Sequence, residues 1–308
     1  MKKNKKQKRK FRWVWIPAIV LFLFLFVFYG PFDNFRLLWI NTAMYSSNHK
    51  FLARMFFTEK YIDSVLARNE PSLDRRTDDS VLSNLWNDEI QFAEIKGNHY
   101  TGWIIKINDP RRLIFAQADG TQGNLLEQMT QRYNCLGGIN ASGYADAWQR
   151  GIVWGITIAD RQIISRLTRG TTHVMGGFTQ DYKLVVGSFT EEEISAQNYL
   201  WAFEFGPLLI VNGEKMEFTS YSGGLAPRTA IGQTAQGHVL LVVVDGRQKT
   251  SIGATFLDMQ TILYANGAIN AINLDGGSST TMVFQGSVIN SPSDGDAERL
   301  LPNAIIFR

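Results

Sequence analysis

The residues best suited to chemistry lie in one short stretch near the C-terminus, between positions 268 and 281. An apolar strand pattern runs into Asp275, which is followed by two glycines and four consecutive hydroxyl side chains. Gly276 and Gly277 can adopt backbone angles closed to other residues, so the chain can turn sharply beside a ligand. A carboxylate among main-chain N–H groups and hydroxyls suits a sugar or a phosphate. The Gly-Lys-Ser/Thr ending of a P-loop is absent from this stretch.

A second aspartate is expected on the same edge of the sheet. The apolar run 238–244 is typical of a strand buried on both faces, and it ends at Asp245. A helical pattern at 255–264 and the strand pattern at 268–274 follow, and strand–helix–strand predicts a parallel pair. The carboxyl ends of parallel strands meet at one edge, where ligands commonly bind. Asp245 and Asp275 are therefore predicted to face the same site.

An arginine is predicted to join these two carboxylates. The strand that begins at Arg228 is separated from the run 238–244 by a hairpin-sized gap. Antiparallel pairing would place Arg228 beside the end of that run, near Asp245. Each part also has an ordinary structural explanation, because Asp-Gly is common turn chemistry and an arginine beside a carboxylate can be a structural ion pair. The presence of two aspartates, an arginine and a glycine turn at one sheet edge nevertheless favours a ligand-binding or catalytic site.

The N-terminus indicates a membrane anchor. Eight Lys and Arg residues precede position 13, and the uncharged run 13–29 has aromatic rings at both ends. Its length is at the lower limit for crossing a bilayer. We expect a cytoplasmic basic tail at 1–12, a single transmembrane helix at 13–29 and an extracytoplasmic body at the cell membrane. The alternative is a cleaved signal peptide, which lacks a small-residue cleavage site here.

Composition bounds the class of protein. Without the basic tail, 23 Lys and Arg face 28 Asp and Glu, so the body is acidic and nucleic-acid binding is disfavoured. Cys135 is the only cysteine, so the exported body has no internal disulfide, which fits the outer face of a Gram-positive-like cell. A buried small hydrophobe is a more plausible role for it than a catalytic thiol.

The remaining chain divides into a stalk and one large domain. Residues 30–88 read as a juxtamembrane helical stalk, with helical periodicity at 35–68, followed by a polar linker at 69–88. From 89 to 308 short strand patterns dominate, and the Asn212-Gly213 pair predicts a hairpin turn. Few helices are expected, at 123–133, 191–200 and 255–264. The predicted fold class is α+β, a mixed β-sheet domain with few helices, preceded by a transmembrane helix.

Several segments together resemble the phosphodiester glycosidase family, whose animal members include enzymes that uncover mannose-6-phosphate tags. The matching segments occur in family order over about residues 90–308, and they are 138–144, 206–213, 226–232, 243–247, 273–279 and 299–304. The Pro-Arg-Thr and Leu-Asp-Gly-Gly-Ser pair is the most specific. The chain departs from the family pattern at 140–144, where Asn-Ala-Ser-Gly-Tyr stands in place of Asn-Gly-Gly followed by two aromatics.

The resemblance implies hydrolysis of a sugar-1-phosphodiester in an envelope polysaccharide or glycoconjugate. In this hypothesis Asp275 is base or nucleophile, Asp245 is the second carboxylate and Arg228 holds the phosphate. The sugar and phosphate would contact a further set of residues, Asn140, Gly276, Gly277, Ser278 and Arg299.

Two other functions remain open from the sequence. One is a non-catalytic carbohydrate-binding protein of the envelope, and the other is an exopolysaccharide assembly protein acting through 35–68. The sequence identifies no cofactor with certainty and leaves metal dependence open. A divalent cation such as calcium is conceivable at the acidic stretch 294–298, although that stretch lacks the spacing of a twelve-residue calcium loop.

Overall fold

The computed structural model describes residues 4–46, 49–69, 75–78, 82–144, 149–168, 170–293 and 298–308, with side chains from Ile16 onward. Within these residues, the α-helices are α1 (Asn4–Tyr29), α2 (Asp33–Met44), α3 (Lys50–Arg54), α4 (Glu59–Leu66), α5 (Leu126–Arg132), α6 (Glu191–Ala196) and α7 (Phe256–Ala265).

The strands outnumber the helices and fall between Ile90 and Phe307. They are β1 (Ile90–Lys96), β2 (Thr101–Ile107), β3 (Leu113–Gln117), β4 (Gly137–Asn140), β5 (Gly155–Ala159), β6 (Gln162–Leu167), β7 (His173–Thr179), β8 (Leu184–Phe189), β9 (Tyr199–Glu204), β10 (Leu208–Val211), β11 (Glu214–Lys215), β12 (Arg228–Thr234), β13 (Val239–Val244), β14 (Ala268–Leu274), β15 (Met282–Phe284), β16 (Ser287–Val288) and β17 (Asn303–Phe307). The predicted α+β class is confirmed.

The N-terminal helices form a unit of their own. Helices α2, α3 and α4 bury a small core that includes Ile40, Ile62 and Val65, so the helical pattern predicted at 35–68 is present. The apolar side chains of α1 from Ile16 to Val27 are largely exposed. Among the helices of the described residues, no single one has the length and hydropathy of a membrane span. The segment Ile16–Tyr29 and α2 reach that threshold only together, with an 83° bend between them.

A seven-stranded sheet in the order β1-β2-β13-β12-β14-β10-β11 forms the centre of the domain. Strand β12 is antiparallel to both neighbours, and it pairs Arg228 with Val244 on one side and Thr229 with Leu274 on the other. The predicted hairpin is therefore confirmed. The prediction of β13 and β14 as a parallel neighbouring pair is wrong, because β12 fills the place between them. The two strands nevertheless run in the same direction.

Both faces of this sheet are covered. One face packs against the interiors of two five-stranded sheets, β16-β15-β4-β17-β3 and β6-β5-β9-β7-β8. Helix α7 covers the other face with Phe256, Met259 and Leu263. Every residue of β13 is buried, as its continuous apolar run predicts. These contacts fix the ends of β12, β13 and β14 relative to one another.

Local signals place the helices and turns with uneven accuracy. Thr255 caps α7 reciprocally with Asp258, and the Asn212-Gly213 turn joins β10 to β11 with positive φ at both residues. The helix predicted at 191–200 ends at Ala196, because Tyr199 onward pairs with β7 in the sheet. Tertiary pairing overrides helical propensity at that point.

Candidate active site

The loop after β14 presents Asp275 at the sheet edge. The Gly276 N–H donates to the Asp275 carboxylate at 3.0 Å, and the Gly277 N–H donates to the Pro227 carbonyl at 2.9 Å. Gly277 has a φ of +61°, a conformation that favours glycine. A Cβ on Gly277 would lie 3.3 Å from the Arg247 guanidinium. The glycine pair therefore lets the backbone turn tightly and lets an arginine approach it closely.

Two adjoining cavities meet at this loop, and both are lined by Asp275, Gly276 and Gly277. The aromatic cavity, of about 470 Å³, is lined also by Arg228, Glu204, Asn273 and a set of apolar and aromatic side chains that includes Tyr45, Trp154, Val174, Phe205 and Phe256. The arginine cavity, of about 550 Å³, is lined also by Tyr144, Ser278, Ser279, Arg150, Arg247 and Arg299. Asp275 thus lines both the aromatic cavity and the arginine cavity.

The environment of Asp275 makes its carboxyl a weak acid. Burial, the largest influence, raises the pKa of Asp275 to about 6. A hydrogen bond from the Ser279 side chain and the positive charge of Arg299 act in the opposite direction. Such a carboxylate is ionised at neutral pH and is more basic than an ordinary aspartate, which suits a base or a nucleophile.

Arg228 is held in place by main-chain carbonyls. Its Nε donates to Ala254 O at 3.1 Å, its Nη2 donates to Gly224 O at 3.0 Å and to Gly223 O, and its guanidinium lies 4.3 Å from the Phe256 ring centroid. Burial lowers its pKa to about 10, so the side chain remains a cation at neutral pH. Because these hydrogen bonds go to neutral carbonyls, they do not neutralise the positive charge that Arg228 brings to the aromatic cavity.

The arginine cavity concentrates further positive charge around Tyr144. Arg299 Nη1 donates to the Tyr144 hydroxyl at 3.1 Å, and Arg150 lies 5.9 Å from the centre of the same ring. Arg247 completes the cationic wall. Guanidinium groups bind phosphate oxygens in a fork geometry, so this cavity suits a phosphate group.

Asn140 is predicted from the sequence to contact the substrate, but it lines neither cavity. It is fully buried, and its Nδ2 donates to the Asp275 carbonyl at 2.6 Å. Its Oδ1 accepts from the Thr229 hydroxyl at 2.8 Å and from the Thr281 N–H at 3.1 Å. The amide therefore ties β4 and β12 to both ends of the loop 275–281, so Asn140 holds this loop in position.

We expect Asn140→Ala to lower both stability and activity. The change leaves three buried polar groups without their partner, each worth about 1–3 kcal/mol when unsatisfied. Thermal unfolding should show a clear loss of stability, and kcat should fall more than KM rises because the Asp275 loop is displaced. Ser142→Ala is the control for activity, because it removes one buried hydrogen bond, from Asn303 Nδ2 at 3.1 Å, and should cost some stability while leaving kcat unchanged. An Asn140→Ala enzyme with normal kcat would exclude the positioning role.

Asp245 lies at the same end of the sheet as Asp275 but has a different environment. Its carboxylate accepts from Asn290 Nδ2 and from the Ser291 N–H, both at 3.0 Å, and it lines neither cavity. These bonds tie the end of β13 to the loop after β16. These contacts are structural, and the role of Asp245 as the second catalytic carboxylate stays a prediction.

A different acid, Glu204 at the end of β9, shares the aromatic cavity with Asp275. Its Oε2 accepts from the Ile156 N–H at 2.8 Å. Its Oε1 accepts from the Thr168 hydroxyl at 2.8 Å and lies 3.1 Å from His173 Nδ1. Sequence reasoning missed Glu204, because its strand is remote from the glycine loop and no local motif marks it.

The segment interpreted as a stalk also contributes to the site. Tyr45 packs edge-on against Phe256 at 5.3 Å between centroids, and it lines both cavities. Ser46 and His49 line the arginine cavity. Thr42 Oγ1 accepts from the Leu225 N–H at 3.3 Å, which fixes α2 to the domain. No charge or glycine pattern in the sequence of this segment predicts these contacts with the domain.

The described residues contain no group of three or more His, Cys, Asp or Glu side chains able to hold a metal ion. Residues 294–297, most of the acidic stretch considered for calcium, lie outside them. Glu298 is described, and its carboxylate accepts from the Leu126 and Glu127 N–H groups at the start of α5. Its observed contacts are therefore those of a helix cap.

Comparison with known families decides what kind of domain contains this loop. A family model described as phosphodiester glycosidase matches residues 133–308, more than half of the chain. The chain belongs to the phosphodiester glycosidase family. The resemblance drawn from the sequence motifs is thus confirmed, and the match includes the Asp275 loop, Arg228, Glu204 and the three arginines of the arginine cavity.

The individual relatives of this chain are distant. The mouse N-acetylglucosamine-1-phosphodiester alpha-N-acetylglucosaminidase is 24% identical over 66% of this chain and 43% of its own length. The SPbeta prophage-derived uncharacterized protein YomE of Bacillus subtilis is 30% identical over 54% of this chain and 27% of its own. The chain therefore spans less than half of the length of these curated relatives.

A solved structure supports the fold. The catalytic domain of the zebrafish N-acetylglucosamine-1-phosphodiester alpha-N-acetylglucosaminidase, described as auto-inhibited by its pro-peptide, aligns with a TM-score of 0.61 at 22% identity. The alignment covers 76% of this chain and 88% of that one. The two domains share an architecture.

Proposed function

We propose that this phosphodiester glycosidase hydrolyses a sugar-1-phosphodiester, releasing the sugar and leaving the phosphate on its other partner. One observation supports this most: Asp275, with a raised pKa, lies on a glycine turn between an aromatic cavity and a cationic one. Family membership and the names of the mouse and zebrafish relatives agree with the same chemistry.

The two cavities divide the substrate between them in this proposal. The aromatic cavity receives the sugar ring, since aromatic faces suit the apolar faces of a sugar. The arginine cavity receives the phosphodiester, whose negative charge the guanidiniums stabilise. Glu204 is the second acid beside the sugar, and Asn140 and Asp245 hold the loops in place.

The reaction breaks the bond between the anomeric carbon and the phosphate oxygen. Asp275 either attacks that carbon or removes a proton from the attacking water, and the water oxygen ends on the sugar. The departing phosphate monoester takes the bonding electrons. Because the arginines stabilise its added negative charge, strong general-acid assistance is not required.

Hydrolysis by the full-length chain tests the proposal. UDP-GlcNAc and a panel of sugar-1-phosphodiesters would be incubated with the wild type and with Asp275→Asn, and free sugar would be measured. Sugar release by the wild type alone supports the proposal. Binding of the same compounds with no release by either protein would favour a carbohydrate-binding function instead.

The activity should depend on pH through Asp275. The base or nucleophile must be ionised, and the pKa of this carboxyl is raised to about 6. As the pH falls through that value the protonated form accumulates, so kcat/KM should drop tenfold per pH unit at lower pH. A pH profile of kcat/KM checks this, and a flat profile down to about pH 4 would exclude Asp275 as the essential base.

We also propose that α1 anchors the domain in a cell membrane, with the N-terminus cytoplasmic. The exposed apolar side chains of α1 and the basic residues at its N-terminal end support this arrangement. The catalytic domain would then face the envelope, where polymers and glycoconjugates with sugar-phosphate links are found. Added protease should degrade the domain in cells stripped of their wall but otherwise intact; complete protection would reverse the proposed orientation.

A further inference from the structure

A third cavity opens beside the site and has a different character. This apolar cavity, of about 530 Å³, is enclosed mainly by aliphatic and aromatic side chains of α2 and by Leu225 and Ile252 of the domain. Its polar lining is limited to Thr42, Ser46, His49 and Arg247. A site for sugar or phosphate alone has no use for a chamber of this composition, because apolar walls favour hydrocarbon.

The apolar cavity adjoins the arginine cavity. Ser46, His49 and Arg247 line both. Arg247 also approaches Gly277, the residue two positions after Asp275, closely enough that a Cβ there would meet its guanidinium at 3.3 Å. A phosphate bound at Arg247 would thus have the sugar-cleaving loop on one side and the apolar cavity on the other.

The apolar cavity also adjoins the end of the N-terminal helix. Trp39 forms part of its wall, and the Phe28 ring at the end of α1 packs edge-on against Trp39 at 5.2 Å between centroids. The Tyr29 hydroxyl donates to Phe56 O at 2.8 Å and secures the same junction. The long exposed apolar surface of α1 therefore ends at the wall of this cavity.

We propose that the substrate is a sugar-1-phosphodiester of a lipid, with its hydrocarbon chain in the apolar cavity and its phosphate at Arg247. This rests on the proposed glycosidase function and names the class of its leaving group. Hydrolysis would release the sugar and leave a lipid monophosphate, whose chain remains beside α1. The helices α2 and α3 are then part of the substrate site as well as a connection to the anchor.

Chain length in a matched ligand series tests the inference independently of turnover. Methyl, hexyl and decyl esters of N-acetylglucosamine 1-phosphate would be titrated calorimetrically into the full-length Asp275→Asn protein in amphipol. Each buried methylene should tighten binding about fourfold, so burial of only about four of the nine methylenes that decyl adds should make it bind more than about a hundredfold more tightly than methyl. Equal affinity for the methyl and decyl esters would overturn the proposal.

Variants separate the cavity from general partition into amphipol. Ile252→Gln and Leu225→Gln make its wall polar and should each reduce the decyl-to-methyl affinity ratio at least tenfold. The control is Ile164→Gln on β6, similarly exposed at 48% against 54% for Ile252, and it should keep the ratio. An unchanged ratio in both cavity variants would also overturn the proposal.

Wild-type turnover of the same esters distinguishes the two hypotheses. If sugar is released from every ester and the binding affinity does not depend on chain length, the glycosidase function is retained and the lipid substrate is excluded. Binding that depends on chain length and on Ile252, with no sugar released, would retain the lipid site and exclude the hydrolytic function.

Discussion

Asp275→Asn is expected to abolish sugar release while leaving the domain folded. The neutral amide can neither attack the anomeric carbon nor accept a proton from water, so kcat should fall by about a thousandfold or more. Sugar released from a sugar-1-phosphodiester, measured under single-turnover conditions, gives this value. Substrate affinity should change far less, because the arginines that hold the phosphate are untouched.

The stability of this variant follows from the sign of the pKa shift. Because the pKa of Asp275 is raised in the folded protein, protonation favours folding, and that contribution is lost as the pH rises through about 6. Asparagine resembles the neutral form. Asp275→Asn should therefore be at least as stable as the wild type above pH 7. Asp160→Asn, in an exposed turn, is the matched control, and an active Asp275→Asn enzyme would remove Asp275 from the mechanism.

Arg228→Met is expected to lower kcat/KM by about a hundredfold to a thousandfold, the range seen when one preorganised charge-stabilising donor is removed. Methionine keeps most of the length and can keep the contact with Phe256, but it lacks the positive charge that Arg228 brings to the aromatic cavity. It also leaves the Gly223 and Gly224 carbonyls without their donor, at about 1–3 kcal/mol for each unsatisfied group, whereas the Ala254 carbonyl keeps the Ala226 N–H. Steady-state kinetics and thermal unfolding measure the two effects separately.

Arg228→Lys distinguishes charge from geometry. Lysine restores the positive charge but not the planar set of donors that spans three carbonyls, so it should recover part of the activity and little of the stability. Arg166→Met removes an exposed arginine paired with Glu191 and should leave kcat/KM unchanged. If Arg228→Met were destabilised yet fully active per folded molecule, Arg228 would be a structural residue only.

Much of the central fold was predictable because its signals are local. The apolar run of β13, the hairpin from β12 to β13, the Asn212-Gly213 turn and the cap of α7 each depend on residues close together in sequence. The insertion of β12 between β13 and β14 was not predictable in this way. It depends on which strand edge remains unpaired after the hairpin forms, and residue types do not encode that choice locally.

The residues of the candidate site also differ in whether a local sequence signal predicts them. Asp275 and its glycines form one continuous motif, and the structure places them where two cavities meet. Strand direction alone predicts Asp245 at the same sheet edge, but it could not predict that the Asp245 carboxylate accepts hydrogen bonds from Asn290 and Ser291. Glu204 and Tyr45 come from distant elements, so only the folded chain brings them to Asp275.

The position of bond cleavage tests the central claim most directly. Hydrolysis of a sugar-1-phosphodiester by the full-length wild type would be run in water labelled with a heavy oxygen isotope, and both products would be analysed by mass spectrometry. The account predicts the label in the anomeric hydroxyl of the released sugar and none in the phosphate. Label in the phosphate would mean attack at phosphorus, and would contradict a glycosidase mechanism centred on Asp275.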